Sequence, residues 1–474
     1  MQPHIARGDA RPQVQRTSRR PRLLLVVAGL ATTAAAVGVT AGPGPASGST
    51  TVAPEPTAWI LDSPGGSAFL EGINVSTNAV VATIAIPKSI AKNLGVTAGA
   101  LAITPNGKTA YLAVQFAREV VPIDLSSQII GKAIKVANQP VSIAINPKGS
   151  RAYVLGYVNV EHASVVAINT STGSTAKEIL VGPLESAGAG GIAITPNGST
   201  VWTSSSENGT VTSISTTTGK TGKPITVGAF PTALAITPNG KTLWVANSLD
   251  YDLVPVALAN SKVGSKVRLS GSPDDLSITP NGAYAFASFG SPANGGVRVT
   301  LSGSHPATKI KLEDATKTAL QVDAVAVDPA GGTAFFCGAS ESTVAPANVA
   351  SAKETTPITL HAGVAGVSAI AITPDQAPTA KFTVAVSGRS VSLDAASSSA
   401  RFGTIAHYAW TFGDGKSSSH GPTTSHTYSK NGKYTITLVV TDSLGTSTTV
   451  VFTGRTVSRN GGPKAEKSTR VDVS

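Results

Sequence analysis

The chain has 474 residues, with 48 Gly, 30 Pro, one Cys, 13% charged and 5% aromatic residues, so no intrachain disulfide can form and packing of Val, Ile, Leu and Ala must hold the fold. The formal charge of +11 sits at the ends: residues 1–22 carry six Arg against one Asp, residues 455–474 carry five basic against two acidic side chains, and the body between is near neutral at +3. A nucleic-acid interface needs its basic charge within the folded domain, which removes nucleic acid as the expected partner.

The N-terminus reads as an export segment. Arg19, Arg20 and Arg22 precede the apolar run 23–42, which ends in small residues. Val39-Thr40-Ala41 and Gly44-Pro45-Ala46 both fit a small-x-small cleavage site. Residues 1–46 are therefore expected to be a signal peptide, or else an N-terminal membrane anchor, since about 20 apolar residues can span a bilayer. Residues 47–56 read as a linker. Ser18-Arg19-Arg20 hints at twin-arginine export, but Pro21 and Arg22 fit the rest of that signal poorly. No Cys stands near the cleavage site to carry a lipid.

A corner then recurs along the chain. ITPNG or a variant ends at Gly107, Gly149, Gly198, Gly240, Gly282 and Gly331, and a seventh copy, ITPDQ, ends at Gln376. The corner prolines, Pro105, Pro147, Pro196, Pro238, Pro280, Pro329 and Pro374, are 42, 49, 42, 42, 49 and 45 residues apart. A period in the forties is that of propeller blades, one four-stranded sheet each. Proline presets φ at the second position of a turn, and Asn and Gly tolerate the positive φ that follows. Apolar flanks such as ALAI and TLWVA read as buried strands, so each corner closes a hairpin.

Six residues after each of the first six prolines stands an aromatic: Tyr111, Tyr153, Trp202, Trp244, Phe286 and Phe335. One equivalent per repeat suits packing between blades better than a sugar-stacking site. The seventh corner lacks its aromatic, because Ala380 occupies that place. Thr57-Ala58-Trp59-Ile60-Leu61 reads like TLWVA and supplies the missing strand from the other end of the chain. The expectation is an all-β fold, a seven-bladed β-propeller over residues 57–376 closed by N-terminal strands joining the last blade. Trp244-Val245-Ala246-Asn247 resembles the Tyr-Val-Thr-Asn signature of YVTN β-propeller repeats. That family includes cell-surface proteins as well as periplasmic and redox enzymes.

Past Pro378 the period stops. Asp394, Gly403, Tyr408, Trp410, Phe412-Gly413-Asp414-Gly415, His426, Tyr428, Gly432, Tyr434 and Asp442 stand in a pattern that resembles the PKD domain. The resemblance implies an immunoglobulin-like β-sandwich of extracellular proteins over residues 377–458. The alternation in KYTITLVVTD independently suggests a strand with one buried face. Trp410 is expected in the core and His426 in a hydrogen bond. Some such sandwiches carry calcium on loop acids, but Ala400, Phe402 and Thr411 occupy places where the family pattern often has them, and calcium needs six to eight oxygens. Asp394, Asp414 and Asp442 read instead as turn acceptors. Residues 459–474 read as a flexible tail.

Chemistry is sparse. Cys337, in TAFFCGAS, reads as a buried inert thiol. His162, His305 and His361 hold unlike positions in their repeats, and no metal-binding spacing occurs. GAGAGG near residues 186–191 lacks the Lys and the strand–helix context of a phosphate loop. Asp274 and Asp275 read as loop residues just before a blade's first strand, with Glu185 and Asp323 in the corresponding loops of an earlier and a later blade, at the face where propellers bind ligands; these four are the ligand-face candidates for a cation or a sugar. No catalytic, cofactor-binding or metal residue is assigned. The expected protein is an exported, non-catalytic, monomeric surface or secreted binder, of bacterial type. Its expected partner is an extracellular protein or polysaccharide, and its only membrane contact an uncleaved N-terminal segment. The alternative is a secreted lactonase-, lyase- or hydrolase-like enzyme with its site at the channel mouth.

Overall fold

The computed structural model describes residues 56–474 except 63–66, 96–99, 160–161, 182–189, 291–292, 339–341 and 361–368. The export segment, Glu185 and His361 lie outside the described residues. No helix among those described is long and apolar enough to cross a membrane.

The protein is all-β: a propeller-like array followed by a sandwich. Between Thr57 and Ile372 the described strands form sheets of four or five antiparallel strands. Six have as innermost strands Leu101–Ile103, Gln139–Ile145, Ile192–Ile194, Pro231–Ile236, Pro273–Ile278 and Ala324–Val327. One further sheet is built from both ends of the repeat region. Thr57–Asp62 pairs on one side with Ala68–Asn74 and on the other with Ala369–Ile372, placing Trp59 opposite Ala371. Each innermost strand touches that of the next sheet, and Ala324–Val327 touches Ala369–Ile372, which in turn touches Leu101–Ile103.

The corners repeat because each residue in them has a task. Gly107, Gly149, Gly198, Gly240, Gly282 and Gly331 all have φ between +67° and +76°, where a side chain is strained. Thr104 Oγ1 donates to Asn106 Oδ1 at 2.7 Å and accepts from the Thr109 amide at 3.1 Å. Thr195, Thr237 and Thr279 repeat the arrangement.

The aromatic column is packing. Trp59, Tyr111, Tyr153, Trp202, Trp244, Phe286 and Phe335 are all buried. Each joins a core that spans its own sheet and the following one: Tyr111 with Ile143 and Val154, Trp202 with Leu234 and Val245, Phe335 with Ile60 and Ile370. Space is tight where Trp59 approaches its neighbour strand, since a Cβ on Gly72 would stand 3.2 Å from the indole and 3.0 Å from Thr57 Cγ2.

The sandwich packs Thr383–Ser387, Ser390–Asp394 and Thr423–Thr427 against a sheet of Ser417–Ser418, Ile405–Thr411, Gly432–Asp442 and Glu466–Val473. Trp410, Phe412, Tyr428, Ile436 and Leu438 fill its core. The expected tail is corrected here. Residues 466–473 pair with Val439 back to Gly432 as an edge strand, and Val471 and Val473 are buried. The alternation in TRVDVS is short and flanked by charge, which hid a half-buried strand.

Candidate functional site

The propeller-like array has an axis with two unlike ends. Every corner lies where a first strand ends and a second begins, so the corners share one face. The starts of the first strands and the loops after the second strands share the other.

At the corner end a segment of the sandwich enters the axis. The carbonyls of Thr453, Gly454 and Arg455 accept from the amides of Ile236, Ile194 and Ile145 at 3.1, 2.7 and 2.9 Å. These are the last residues of three successive innermost strands, and a buried amide without a partner is costly. Gly454 has φ +122°, and a Cβ there would stand 3.1 Å from the Ile236 nitrogen and 3.3 Å from Ala193 Cβ, so the segment fits only with glycine. Phe452 and Val457 are buried against Val141, Ala144, Tyr153 and Ile192. The Arg455 guanidinium contacts both carboxylate oxygens of Asp275 at 2.9 Å. Asp275 Oδ2 also accepts from the Val325 amide at 3.1 Å, tying two neighbouring sheets to the segment.

The space left between this segment and the innermost strands is about 50 Å³. Ligand pockets run to roughly 300–1,000 Å³, and this cavity is far smaller. Arg459 extends the seam: its Nε donates to the Pro329 carbonyl at 2.7 Å and Nη2 to that of Ala330 at 3.2 Å. Gln376 Nε2 donates to the Pro105 carbonyl at 2.9 Å.

At the other end, Asp274 and Asp323 come together, whereas Asp275 points inward to Arg455. Asp274 and Asp275 lie within the strand Pro273–Ile278, not in the loop before it. Asp274 Oδ2 accepts from the Gly290 amide at 2.8 Å. A Cβ on Gly290 would collide with that oxygen and stand 3.3 Å from Asp323 Oδ1. Burial, then the Asp323 charge, push the Asp274 carboxyl up to about 6. The same face exposes Phe116, Phe230, Leu249 and Tyr251. Phe230 and Tyr251 sit at φ +57° and +52°, a strained region for bulky residues. The two loops are tied, since the Ala229 amide donates to Asp250 Oδ2 and the Ser248 amide to the Phe230 carbonyl.

Other chemistry-bearing residues are occupied locally. Burial pushes the Cys337 thiol well up, with Asp323, Asp275 and Asp62 adding to it. His305 packs edge-on to Trp244 at 5.2 Å, and His162 Nδ1 pairs with Asn159 Oδ1. His426 Nε2 lies 2.8 Å from Asp414 and the ring stacks on Phe412. Asp394 accepts from the Ala396 amide, Asp414 from Lys416, and Asp442 from Leu444 and Thr446. These acids do not converge, and among the described residues no group of three or more His, Cys, Asp or Glu is placed to hold a metal.

Arg455, Arg459 and Asp375 escaped sequence reasoning. The signal was VVFTGRTV, residues 450–457, an apolar run with Gly-Arg at its middle beyond the last sandwich motif residue. Asp375 and Gln376 run parallel to Arg459 and Asn460. Asp375 Oδ2 and Asp442 Oδ2 are buried without a donor, and the two carboxyls lie close enough to hydrogen-bond once one is protonated. Burial pushes Asp375 up to about 7, and the neighbouring Asp442 charge adds to the rise. Because the folded-state value lies above the ordinary one of about 3.9, the stability from this group is complete below that value and is lost as pH rises through about 7. Asp375→Asn should therefore flatten part of the fall in melting temperature between about pH 4 and 7, the span from the ordinary to the folded-state value. An unchanged slope in that variant would show that the pair does not share a proton.

Comparison with known proteins agrees with this architecture. Residues 375–457 match the family model described as PKD domain. A stretch of 93 residues, 20% of this chain, is 39% identical to the pre-pro-metalloprotease PrtV of Vibrio cholerae serotype O1, strain M66-2, and equally to that of strain ATCC 39315. The matched stretch spans only about a tenth of those proteins' length. Among solved structures, a functionally unknown protein from Desulfotomaculum acetoxidans DSM 771 is similar at TM-score 0.54 and 15% identity, over 67% of this chain and 98% of that one. A protein from Bacteroides uniformis ATCC 8492, provisionally named a 6-phosphogluconolactonase, is similar at TM-score 0.54 and 13% identity, over 67% and 99%. Its counterpart from Bacteroides fragilis NCTC 9343 is similar at TM-score 0.53 and 15% identity, over 69% and 99%. At these identities the likeness concerns the fold.

Proposed function

We propose that the chain is an exported, non-catalytic binding protein of the cell surface or medium. In this reading its repeats form a closed seven-bladed propeller of the YVTN type. The pairing of Thr57–Asp62 with Ala369–Ile372 supports closure, as do the aromatic contacts from each sheet to the next. The PKD match supports an extracellular setting and an adhesion-type module. The partner is an extracellular protein or polysaccharide.

One observation supports a binding reading over an enzyme with its site at the corner end of the axis. The axis is filled at the corner end by Thr453–Arg455, and the cavity beside it is about 50 Å³, too small for an organic substrate. A second reading, a propeller enzyme at the opposite mouth, is favoured by the Asp274 carboxyl held at about 6 beside Asp323, near the range suited to general acid–base work.

The test is capture by the intact protein on an array of glycans and envelope proteins, with product analysis of each bound ligand. Binding without turnover is expected. Release of product that disappears in Asp274→Asn would replace this reading with the enzyme.

A further inference from the structure

Three linked crevices run along the corner face over the sheets that start at Leu101, Gln139 and Ile192, beside the sandwich seam. The middle one, about 530 Å³, is walled by Tyr111, Pro147 and Lys148 and bordered by Asn460 of the sandwich. It shares Thr109, Tyr111, Thr170 and Ser171 with a second, about 620 Å³, that contains Lys132 and Lys135. It shares Pro147 and Lys148 with a third, about 510 Å³, that contains Arg151 and Tyr153 and is bordered by Val450. Each is of the size that holds a small ligand, and together they form a run rather than a single hole.

The chemistry of the walls is one-sided. Lys132, Lys135, Lys148 and Arg151 line the three crevices, and no Asp or Glu does. Lys135 is paired with Glu119 at 2.7 Å. Lys132, Lys148 and Arg151 are exposed and form no ion pair among the described residues. This excess stands out on a body whose net charge is only +3. The remaining lining is rich in hydroxyls and amides, over apolar stretches supplied by proline and buried tyrosine.

We propose that this run of crevices binds an acidic polysaccharide, whose carboxylate or sulfate groups meet Lys132, Lys148 and Arg151 while its hydroxyls meet the Ser, Thr and Asn walls. This rests on the binding-protein reading above and gives it a ligand class. A linear polymer matches connected crevices of similar size. A protein partner would call for a wall depleted in lysine and richer in exposed aromatics. A single-stranded nucleic acid would need exposed aromatic faces for stacking, and Tyr111 and Tyr153 are buried. Arginine can grip a carboxylate or sulfate with two parallel hydrogen bonds, and lysine adds a point charge.

The experiment measures binding of the intact protein to polygalacturonate, dextran sulfate and neutral dextran by titration calorimetry. Either anionic polymer should bind and dextran should not, with affinity falling as salt is raised. Polygalacturonate alone identifies a carboxylate ligand, and dextran sulfate alone a sulfated one. Lys148→Glu with Arg151→Glu should weaken binding by roughly tenfold or more. Lys241→Glu, on a corner outside the run, should leave it unchanged. Both variants alter exposed side chains, so an unchanged melting curve certifies the fold. The site is overturned if neither anionic polymer binds, or if the double reversal binds as well as the wild type. If captured neutral glycans or proteins remain in either case, the binding-protein reading stands and this site alone falls. If nothing is captured by any probe, both fall.

Discussion

Replacing Arg455 with Ala should destabilise the protein by about 3–5 kcal/mol, because it strands a buried charge. Asp275 is 1% exposed and Arg455 18%, so the carboxylate left behind keeps, among the described residues, the Val325 amide and cannot recover its hydration. The loss should appear in urea unfolding as an earlier transition. The same change should raise amide exchange at Ile145, Ile194 and Ile236, whose partners are the carbonyls of the same segment. Changing both partners, Asp275→Asn with Arg455→Met, should cost less than the single change, since no lone charge remains. A single-variant loss below about 1 kcal/mol would mean that the contact is a surface-like pair of the weak kind, and the clamp between sandwich and propeller would have to be abandoned.

Trp59→Ala should cost a similar amount, about 3–5 kcal/mol, as large aromatic truncations in cores do. Trp59 is 2% exposed, packs against Leu101, Leu112 and Ala371, and its Nε1 donates to Thr373 Oγ1 at 3.1 Å across 314 residues of sequence. Removing residues 57–62 altogether should do more, because Ala369–Ile372 would then present an unpaired strand edge, and such edges promote aggregation. Exchange protection at Ala371 is the local readout. If that amide stays protected in Trp59→Ala while the melting temperature is unchanged, the N-terminal strand does not complete the sheet and the closed-ring reading fails with it.

These two residues show how unevenly the molecule could be read. Trp59 was legible because repetition makes absence visible: six corners each had an aromatic six residues on, the seventh had none, and the N-terminus offered the missing strand. Arg455 had no such context. Nothing in VVFTGRTV repeats elsewhere, and the reason for Gly454 appears only when Ala193 and Ile236 are seen 3.3 and 3.1 Å from where its Cβ would be. The strand Glu466–Val473 was hidden for a related cause. An edge strand with one wet face carries few apolar residues, and its partner, Gly432–Val439, lies some way back along the chain.

The candidate acids divide in the same manner. Local sequence placed Asp274 and Asp275 in the loop just before a first strand, whereas they lie within that strand; Asp323 directly precedes its own first strand. Local sequence could not separate Asp275, which faces Arg455, from Asp274, which meets Asp323 at the opposite mouth. The strand register is irregular between Pro273 and Leu276, and such a bulge re-aims side chains, so adjacent acids of one type meet different environments. The basic crevices were equally invisible, because Lys132, Lys148 and Arg151 come from two repeats and are related only by the packing of one sheet against the next.

The order of residues by itself determined the repeat unit, the turn chemistry of its corners, the aromatic wedge between sheets and the presence of a different domain after Pro378. Each is a local pattern set by backbone geometry and side-chain period. Tertiary structure alone decided which end of the axis is filled, which carboxylates are paired and where a polymer could lie. Those outcomes depend on contacts between residues as distant as Asp275 and Arg455, whose pairing is a matter of burial and charge rather than of spacing along the chain.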